Sequence, residues 1–215
     1  SIMNFLSLAG DEKVTSILPM PKEIKKTPIS LMLVTKNGTT KKMSGESFKD
    51  VRRSGIISIR LDKGDELISA LLTDKGDEVM IATAGGQSIR FKESDIREMG
   101  RTAGGVRGMK LSKSDQVISV DVIKKDHKDG AFLTMSANGF GKKTSLKEYK
   151  VQKRGGSGIK TAKVTPKTGK LIVALDKKEF EDLHKLKKNA EENGVRGLEI
   201  IDGKKLREME PGVSG

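Results

Sequence analysis

The chain has 215 residues, of which only 3% are aromatic, and it contains no tryptophan and no cysteine. The lack of cysteine excludes disulfides, thiolate chemistry and cysteine-based zinc sites. The formal net charge of +13 at pH 7 favours an acidic polymer as partner. No apolar run approaches the roughly eighteen residues of a membrane span. Because Ser1–Leu6 carries no charged leader, we expect the middle of a longer protein.

A unit of about fifty residues recurs along the chain. Each unit has a glycine, then a cation four residues later, a bulky apolar side chain ten later and an arginine fifteen later. The three sets are Gly38, Lys42, Phe48 and Arg53; Gly86, Arg90, Ile96 and Arg101; and Gly139, Lys143, Tyr149 and Arg154. Residues 8–14 resemble the end of an earlier copy. A period of this length is typical of propellers and solenoids, whose units bury their apolar faces against their neighbours.

Within each unit the pattern predicts four strands. The first strands are short apolar runs at 30–35, 78–83 and 131–135. Hairpin turns follow at Asn37-Gly38, Gly85-Gly86 and Asn138-Gly139. Second strands carry the cations, as at 87–92. Third strands are predicted at 56–61, 106–111 and 159–164, and fourth strands at 66–72 and 116–122. In 87–92, alternation puts Ile89 and Phe91 on one face and Arg90 and Lys92 on the other.

Several stretches carry a family resemblance. They include 77–80, 90–94, 97–100, 104–108, 65–68 and 138–144. Together they resemble the C-terminal domain of the bacterial DNA gyrase A protein and of its topoisomerase IV counterpart. The resemblance covers roughly residues 4–170. It implies a mainly β fold, a propeller-like β-pinwheel of four-stranded blades that exchange strands, here incomplete with about three blades and the end of a preceding one.

The same resemblance implies a DNA-wrapping function. The family's diagnostic heptapeptide, Gln-Arg-Arg-Gly-Gly-Lys-Gly, is matched at five of seven positions by residues 152–158, where Ser157 replaces the lysine. This copy is interpreted as a degenerate box-like turn made of Gln152, Gly155, Gly156 and Gly158, with Lys153 and Arg154. Cations at the recurring positions are predicted to bind phosphates: Lys42, Arg53, Arg90, Arg101, Arg107, Lys143, Lys153, Arg154 and Lys160. Glycines are expected to let backbone N–H groups approach a phosphate.

Catalytic and metal sites are not expected in this segment. Tyr149 is the only tyrosine, but it occupies the position of Phe48 and Ile96 and is predicted to lie in the core. His127 and His184 have no second ligand at metal-binding spacing. The resemblance implies that the cleavage tyrosine, the ATPase parts, ATP and magnesium belong to the rest of a type IIA topoisomerase holoenzyme. The resemblance thus places the segment in a gyrase-type assembly, while whether the segment itself counts as an enzyme stays open.

The end of the chain departs from the repeat. Residues 171–215 are predicted to form a short α/β segment, with a helix near 176–190 and a strand near 198–201. Residues 169–174, 193–195, 197–199 and 206–211 resemble a segment of FAD-dependent L-2-hydroxyglutarate oxidases. A fusion near 168–175 and a divergent gyrase tail are both compatible with this pattern. The predicted domains are therefore 1–170 and 171–215.

The preferred interpretation is non-sequence-specific binding, bending and wrapping of duplex DNA on a basic rim. The implied partners are DNA and, in an A2B2 heterotetramer, the N-terminal region of gyrase A together with gyrase B. No membrane partner is expected, and the implied location is the cytoplasm, on the nucleoid. Two alternatives remain: a fragment of a flavin-dependent 2-hydroxy acid oxidoreductase, and a propeller used for protein contacts.

Overall fold

The computed structural model describes residues 14–19, 29–49, 51, 55–137 and 141–166, and the backbone of 171–174. The described residues form strands and three short 3-10 turns, at Gly45–Phe48, Glu93–Asp95 and Leu146–Glu148. The strands are β1 (Ser30–Thr35), β2 (Thr39–Ser44), β3 (Leu67–Thr73), β4 (Glu78–Thr83), β5 (Gln87–Lys92), β6 (Val106–Arg107), β7 (Val117–Ile123), β8 (Ala131–Ser136), β9 (Gly141–Ser145), β10 (Ile159–Lys160) and β11 (Leu171–Ala174).

These strands form three antiparallel sheets, which we call blades 1, 2 and 3. Blade 1 has the order β3-β1-β2-β6, blade 2 the order β7-β4-β5-β10, and blade 3 the order β11-β8-β9. The predicted first and second strands are confirmed almost residue for residue, and each predicted fourth strand is shifted by one residue. In each of the two described hairpin turns one glycine has a positive φ, +82° at Gly38 and +83° at Gly86.

Successive repeats exchange a strand, as the resemblance implied. β6 follows β5 along the chain, yet it pairs with β2 of the preceding repeat, matching Thr39 with Arg107. β10 pairs in the same way with β5, where Lys160 matches Gln87. Each exchanged strand is only two residues long. The predicted runs 106–111 and 159–164 therefore leave the ladder early, and residues 56–61 form no strand.

Two of the three apolar clusters lie between blades. Met32 and Val34 of blade 1 pack against Ile81 and Phe91 of blade 2. Met80 and Ile123 of blade 2 pack against Phe132, Leu146 and Tyr149 of blade 3. A third cluster, on the other face of blade 1, joins Leu31, Leu33, Met43 and Ala70, with Leu18 and Phe48 packed at its edge. Both faces of β1 and β4 are therefore buried throughout.

Tyr149 lies in the core, as predicted. Its side chain is 3% exposed, and its ring meets that of Phe132 edge to face, with centroids 5.4 Å apart. Burial is the main cause that raises the pKa of the Tyr149 hydroxyl. Such an environment suits a packing residue and not a nucleophile that must reach a DNA strand.

β11 is an outer strand of blade 3. It pairs antiparallel with β8, placing Leu171 opposite Ser136 and Ala174 opposite Leu133. β3 and β7 take the same place beside β1 and β4 in the other blades. This pairing assigns 171–174 to the repeats, so the boundary predicted at residue 170 falls inside the third blade. The predicted helix and strand of the tail lie outside the described residues.

Candidate nucleic-acid interface

Two of the predicted phosphate-binding cations are buried. Lys42 on β2 is 8% exposed and Arg90 on β5 is 7% exposed. The Lys42 ammonium lies 2.6 Å from the Glu93 carboxylate, and the Arg90 guanidinium lies 2.6 Å from that of Glu78. Neither side chain is placed to reach a phosphate on the surface. The prediction that Lys42 and Arg90 bind DNA is therefore corrected: they are structural.

Both cations join one blade to the next. Lys42 also donates to the backbone oxygen of Glu93, which opens the following repeat's 3-10 turn. Arg90 donates to the backbone oxygens of Leu146 and Tyr149, in and just after the corresponding turn of blade 3. The recurrence of a cation four residues after the turn glycine thus reflects a joint between blades, because the next blade covers this face of the sheet.

The other predicted cations divide into exposed and partly buried ones. Arg154 is half-buried: its guanidinium donates to the backbone oxygens of Asp95 and Arg107, at 2.9 and 3.0 Å. Arg53 lies outside the described residues. The exposed side chains are Arg101, Arg107, Lys143, Lys153 and Lys160. Since Arg107 and Lys160 hold equivalent places on β6 and β10, they repeat from blade to blade.

The box-like turn is docked against the preceding repeat. The Gln152 N–H donates to the Arg90 carbonyl at 2.7 Å, and the Gly155 N–H donates to the Gly108 carbonyl at 2.6 Å. The Gly156 carbonyl accepts from the Lys110 N–H at 2.9 Å. These bonds bring Lys153 and Arg154 beside the strand that carries Arg107. A cluster of cations from two successive repeats results.

The glycines that lead into the exchanged strands serve close packing. Gly105 has φ +96°, and a Cβ there would lie 2.6 Å from the Thr40 carbonyl oxygen. Gly158 has φ +72°, and a Cβ there would lie 2.7 Å from the Ser88 carbonyl carbon. In the box-like turn, the Gly155 N–H is bonded to protein. The expectation that these glycines free the backbone for phosphate is replaced by a role in blade-to-blade contact.

A second recurring set of cations was missed by the sequence analysis. Arg60, Lys110 and Lys163 each lie five residues after the positive-φ glycine of their repeat, and all three are exposed. Each precedes an apolar residue, at Leu61, Leu111 and Val164. This cation–apolar pair was visible in the sequence. The sequence pattern of 56–61, 106–111 and 159–164 predicts whole strands, and it does not show that the chain leaves the sheet before these cations.

Lys41, one residue before Lys42, was also missed. Its side chain is fully buried, and its ammonium donates to the backbone oxygens of Ser58, Arg101 and Ala103, at 2.7, 2.9 and 2.8 Å. Burial lowers the pKa of Lys41. Three carbonyl acceptors match the three N–H bonds of an ammonium. Lys41 thereby fixes the loop that carries exposed Arg101 to the loop around Ser58.

Glu78, the carboxylate partner of Arg90, forms a second polar contact. Glu78 accepts from Arg90 on one carboxylate oxygen and from Lys128 on the other, at 2.6 and 3.0 Å. Burial by itself raises the pKa of Glu78. The hydrogen bonds and charges of Lys128 and Arg90 outweigh burial, so the net shift of the pKa is downward. Lys128 lies between β7 and β8 along the chain. The Glu78–Lys128 pair therefore connects the start of β4 with the loop that leads into blade 3.

Within the described part of the chain, no group of three or more histidines, cysteines or carboxylates could hold a metal ion. His127 is exposed, and His184 lies outside that part. Among the same residues, no helix is long and apolar enough to cross a membrane.

The sequence matches the profile described as "DNA gyrase C-terminal domain, beta-propeller" in three stretches, residues 30–74, 77–124 and 131–175. The chain belongs to the DNA gyrase C-terminal domain family. The three stretches correspond to the three repeats, and the last one includes β11. The third matched stretch ends at residue 175, one residue after β11, which pairs with β8. Both observations include residues 171–174 in the third repeat.

Two bacterial relatives in this gyrase family illustrate the match. The chain is 41% identical over 174 residues to the DNA gyrase A protein of Salmonella typhimurium strain LT2, covering 81% of this chain and 19% of the relative. It is 36% identical over 182 residues to that of Staphylococcus epidermidis strain ATCC 12228, covering 85% and 20%. The chain therefore spans about a fifth of the length of the curated relatives it matches.

Solved structures of the gyrase family share the fold. The C-terminal domain of DNA topoisomerase IV aligns with a TM-score of 0.71 and 26% identity over 80% of this chain and 54% of that one. The DNA gyrase A C-terminal domain aligns with a TM-score of 0.71 and 26% identity over 81% and 57%. The mainly β pinwheel fold is confirmed.

Proposed function

We propose that the repeats bind, bend and wrap duplex DNA without reading its base sequence, as part of a type IIA DNA topoisomerase. The observation that carries this is the recurrence of exposed and half-exposed cations at equivalent positions of successive repeats. The recurring cations are Arg60, Lys110 and Lys163, Arg107 and Lys160, and Arg101 and Arg154. Together with the exposed Lys143 and Lys153 of the third repeat, we call them the basic rim. Family membership supports the assignment over the flavin oxidoreductase alternative.

Electrostatics explains why a repeated rim suits wrapping. Cations that neutralise phosphates release condensed counterions, and this term is independent of base sequence. Smooth bending of a site of 20–30 base pairs by 40–90° costs about 1–6 kcal/mol. Blades 1 and 2 carry Arg107 and Lys160 at the same place, so a bent duplex gains contacts with each of these blades that it follows. Those added contacts offset the bending cost.

The holoenzyme belongs to the same proposal. The relatives carry the name of the A chain of DNA gyrase, so we place this chain in a gyrase-type assembly, an A2B2 heterotetramer with gyrase B, on the nucleoid in the cytoplasm. ATP, magnesium and the cleavage tyrosine would be supplied by other parts of that assembly. The repeats would contribute DNA wrapping to ATP-dependent strand passage.

The test is binding of the full chain to a linear duplex of about a hundred base pairs across a salt series, with DNA bending measured by end-to-end fluorescence transfer. We expect affinity to fall steeply with salt and the ends to approach each other. The absence of binding at low salt would overturn the proposal. Binding without bending would overturn wrapping while retaining the basic rim.

Single variants locate the interface. Arg107→Gln and Lys160→Gln should each lower affinity and reduce the magnitude of the salt slope by about 1. Lys75→Gln is the matched control, because Lys75 is exposed but lies at the other end of blade 1 from Arg107. Lys75 follows the end of β3 at which Thr73 pairs with Ser30, the first residue of β1. Arg107 pairs with Thr39, beyond the opposite end of β1. Equal losses from the control and the rim variants would show that only net charge matters.

A further inference from the structure

Two half-buried carboxylates, Asp65 and Asp115, recur at the same place in the first two repeats. Each residue closes a turn, in which its own N–H donates to the backbone oxygen of Asp62 at 3.0 Å or of Ser112 at 3.1 Å. Each of these turns stands directly after one of the recurring cation–apolar pairs. The carboxylates therefore lie next to the segments that carry the basic rim.

One oxygen of each carboxylate holds the turn against the tip of the hairpin in the same repeat. The Oδ1 atom of Asp65 accepts from the N–H of Asn37 and from that of the next residue after Asp65, both at 2.9 Å. The Oδ1 atom of Asp115 accepts from the N–H of Gly85 and from that of the next residue after Asp115, both at 2.8 Å. Hydrogen bonds from N–H groups to an ionised carboxylate are stronger than those between neutral groups, so turn and hairpin tip are held together.

The same hairpin tips bind the exchanged strand of the following repeat. The Gly38 carbonyl accepts from the two N–H groups that follow Arg107, at 2.8 and 3.2 Å. The Gly86 carbonyl accepts from the two N–H groups that follow Lys160, at the same distances. Each of these carbonyls belongs to the residue directly after the N–H that the aspartate binds. The aspartate and the next repeat's rim segment thus contact one hairpin tip from two sides of the chain.

We propose that Asp65 and Asp115 are positioning residues that set the spacing of the basic rim from one blade to the next; this rests on the proposed wrapping of DNA. Each aspartate connects the cation–apolar pair of its own repeat, through the hairpin tip, to the segment that carries Arg107 or Lys160 in the next repeat. A bent duplex has to meet the cations of successive blades at a set interval. A rim whose segments shift against one another would still bind DNA, but it would bend DNA less.

The charge of these carboxylates separates positioning from direct binding. Asn37 and Gly38 directly precede Thr39, which pairs with Arg107, so the Asp65 carboxylate lies at the rim end of blade 1. A carboxylate repels phosphate, and its removal by itself should strengthen DNA binding. A loss of bending on its removal would therefore come from the lost hydrogen bonds and not from the lost charge.

The test compares three variants of the full chain by end-to-end fluorescence transfer of a linear duplex at saturating protein. Asp65→Ala loses the acceptor and should lose about half of the wild-type gain in transfer, because one of the two described connections is broken. Asp65→Asn keeps an oxygen acceptor and should recover most of the bending. Asp62→Ala is the matched control, since it removes the same charge from an exposed position of the same turn and should bend DNA as the wild type does. Equal bending by Asp65→Ala and Asp65→Asn overturns the proposal.

Amide hydrogen exchange without DNA separates this proposal from the proposed function. The N–H groups of Gly108 and Met109, which donate to the Gly38 carbonyl, should exchange about tenfold faster in Asp65→Ala than in the wild type and in Asp65→Asn. Unchanged exchange in Asp65→Ala would overturn the positioning role even where the wild type bends DNA. A wild type that does not bind DNA would overturn the proposed function, and the exchange rates alone would then decide whether Asp65 holds the rim segment.

The second repeat provides an independent pair of variants. Asp115→Ala and Asp115→Asn make the same comparison, with exchange measured at the N–H groups of Thr161 and Ala162, which donate to the Gly86 carbonyl. This pair replaces the first if Asp65→Ala does not fold. Faster exchange and weaker bending in Asp115→Ala alone support the proposal, and equal behaviour of the two variants contradicts it.

Discussion

Lys42 and Arg90 show that one position can use two different cations for the same contact. Lys42 approaches one carboxylate and one backbone oxygen of the next repeat, and Arg90 approaches two backbone oxygens there. Arg90 can make more bonds because its guanidinium carries five N–H donors in a planar fork, while an ammonium carries three. The recurring feature is therefore a donor that reaches across the joint and not a particular side chain.

Replacing a buried cation should affect stability, and replacing an exposed one should affect DNA binding. Arg90→Met leaves Glu78 buried with Lys128 as its remaining partner, and we expect a loss of about 3–5 kcal/mol in the free energy of unfolding. Arg107→Met should change it by about 0.5 kcal/mol or less, while weakening DNA binding. Urea denaturation of both variants checks this, and similar stabilities for the two would contradict the burial of Arg90.

Stability should also depend on acid through Glu78. Because its folded pKa is held below the ordinary value of 4.5, the unfolded chain binds a proton more readily than the folded one. The contribution of Glu78 is then fully present above the ordinary value and is lost as the pH falls through the lower, folded pKa. The free energy of unfolding, measured from neutral to acidic pH, should fall more steeply in the wild type than in Glu78→Gln. Parallel curves would refute this.

At the scale of elements, the sequence predicted the hairpins, but it did not predict which strand faces a neighbouring blade buries. The Asn-Gly and Gly-Gly turns and the apolar runs predicted β1, β2, β4 and β5 because these signals are local. Alternation correctly placed Ile89 and Arg90 on opposite faces of β5. It could not show that the next blade buries the Arg90 face as well, since that depends on packing between repeats.

The exchanged strands were harder to predict than the hairpins. After Arg107 the chain leaves the ladder, because the N–H groups of Gly108 and Met109 both donate to the Gly38 carbonyl. The predicted six-residue strand therefore shortens to two residues. A local pattern contains no sign of this, since the acceptor lies about seventy residues earlier in the chain.

Two glycines of similar backbone conformation should differ in their tolerance of a side chain. Gly64 has φ +80° and open space where a Cβ would be added, so Gly64→Ala should cost about 1 kcal/mol from backbone conformation alone. Gly105→Ala adds a contact with the Thr40 carbonyl oxygen at 2.6 Å, and we expect about 1–3 kcal/mol more. Thermal or urea denaturation of both variants measures the difference. Equal costs would mean that β6 is not seated as described.

For the whole molecule, strand exchange makes the blades depend on one another. Blade 1 lacks its fourth strand unless the second repeat is folded, and blade 2 lacks its own unless the third is folded. Two of the apolar clusters also lie between blades. In repeat proteins, strong coupling between neighbours favours unfolding in one step. We therefore expect the described repeats to unfold cooperatively.

Tyr149 offers a direct check of that coupling, because it is the only tyrosine and lies in blade 3. Its fluorescence should change at the same denaturant concentration as the far-ultraviolet circular dichroism of all the blades. Lys41→Met, in blade 1, should lower both midpoints together. A Tyr149 transition that does not move with this distant change would show that blade 3 unfolds independently.

The carbonyl cage around Lys41 also makes this side chain a reporter of loop opening. Its lowered pKa would by itself favour the neutral, nucleophilic amine, yet its nitrogen is enclosed by Ser58, Arg101 and Ala103. An acylating reagent should modify exposed lysines such as Lys75 first and Lys41 only when those loops separate. The rate of Lys41 acylation, followed by peptide mass spectrometry, thus measures how often the loop bearing Arg101 detaches from its neighbour.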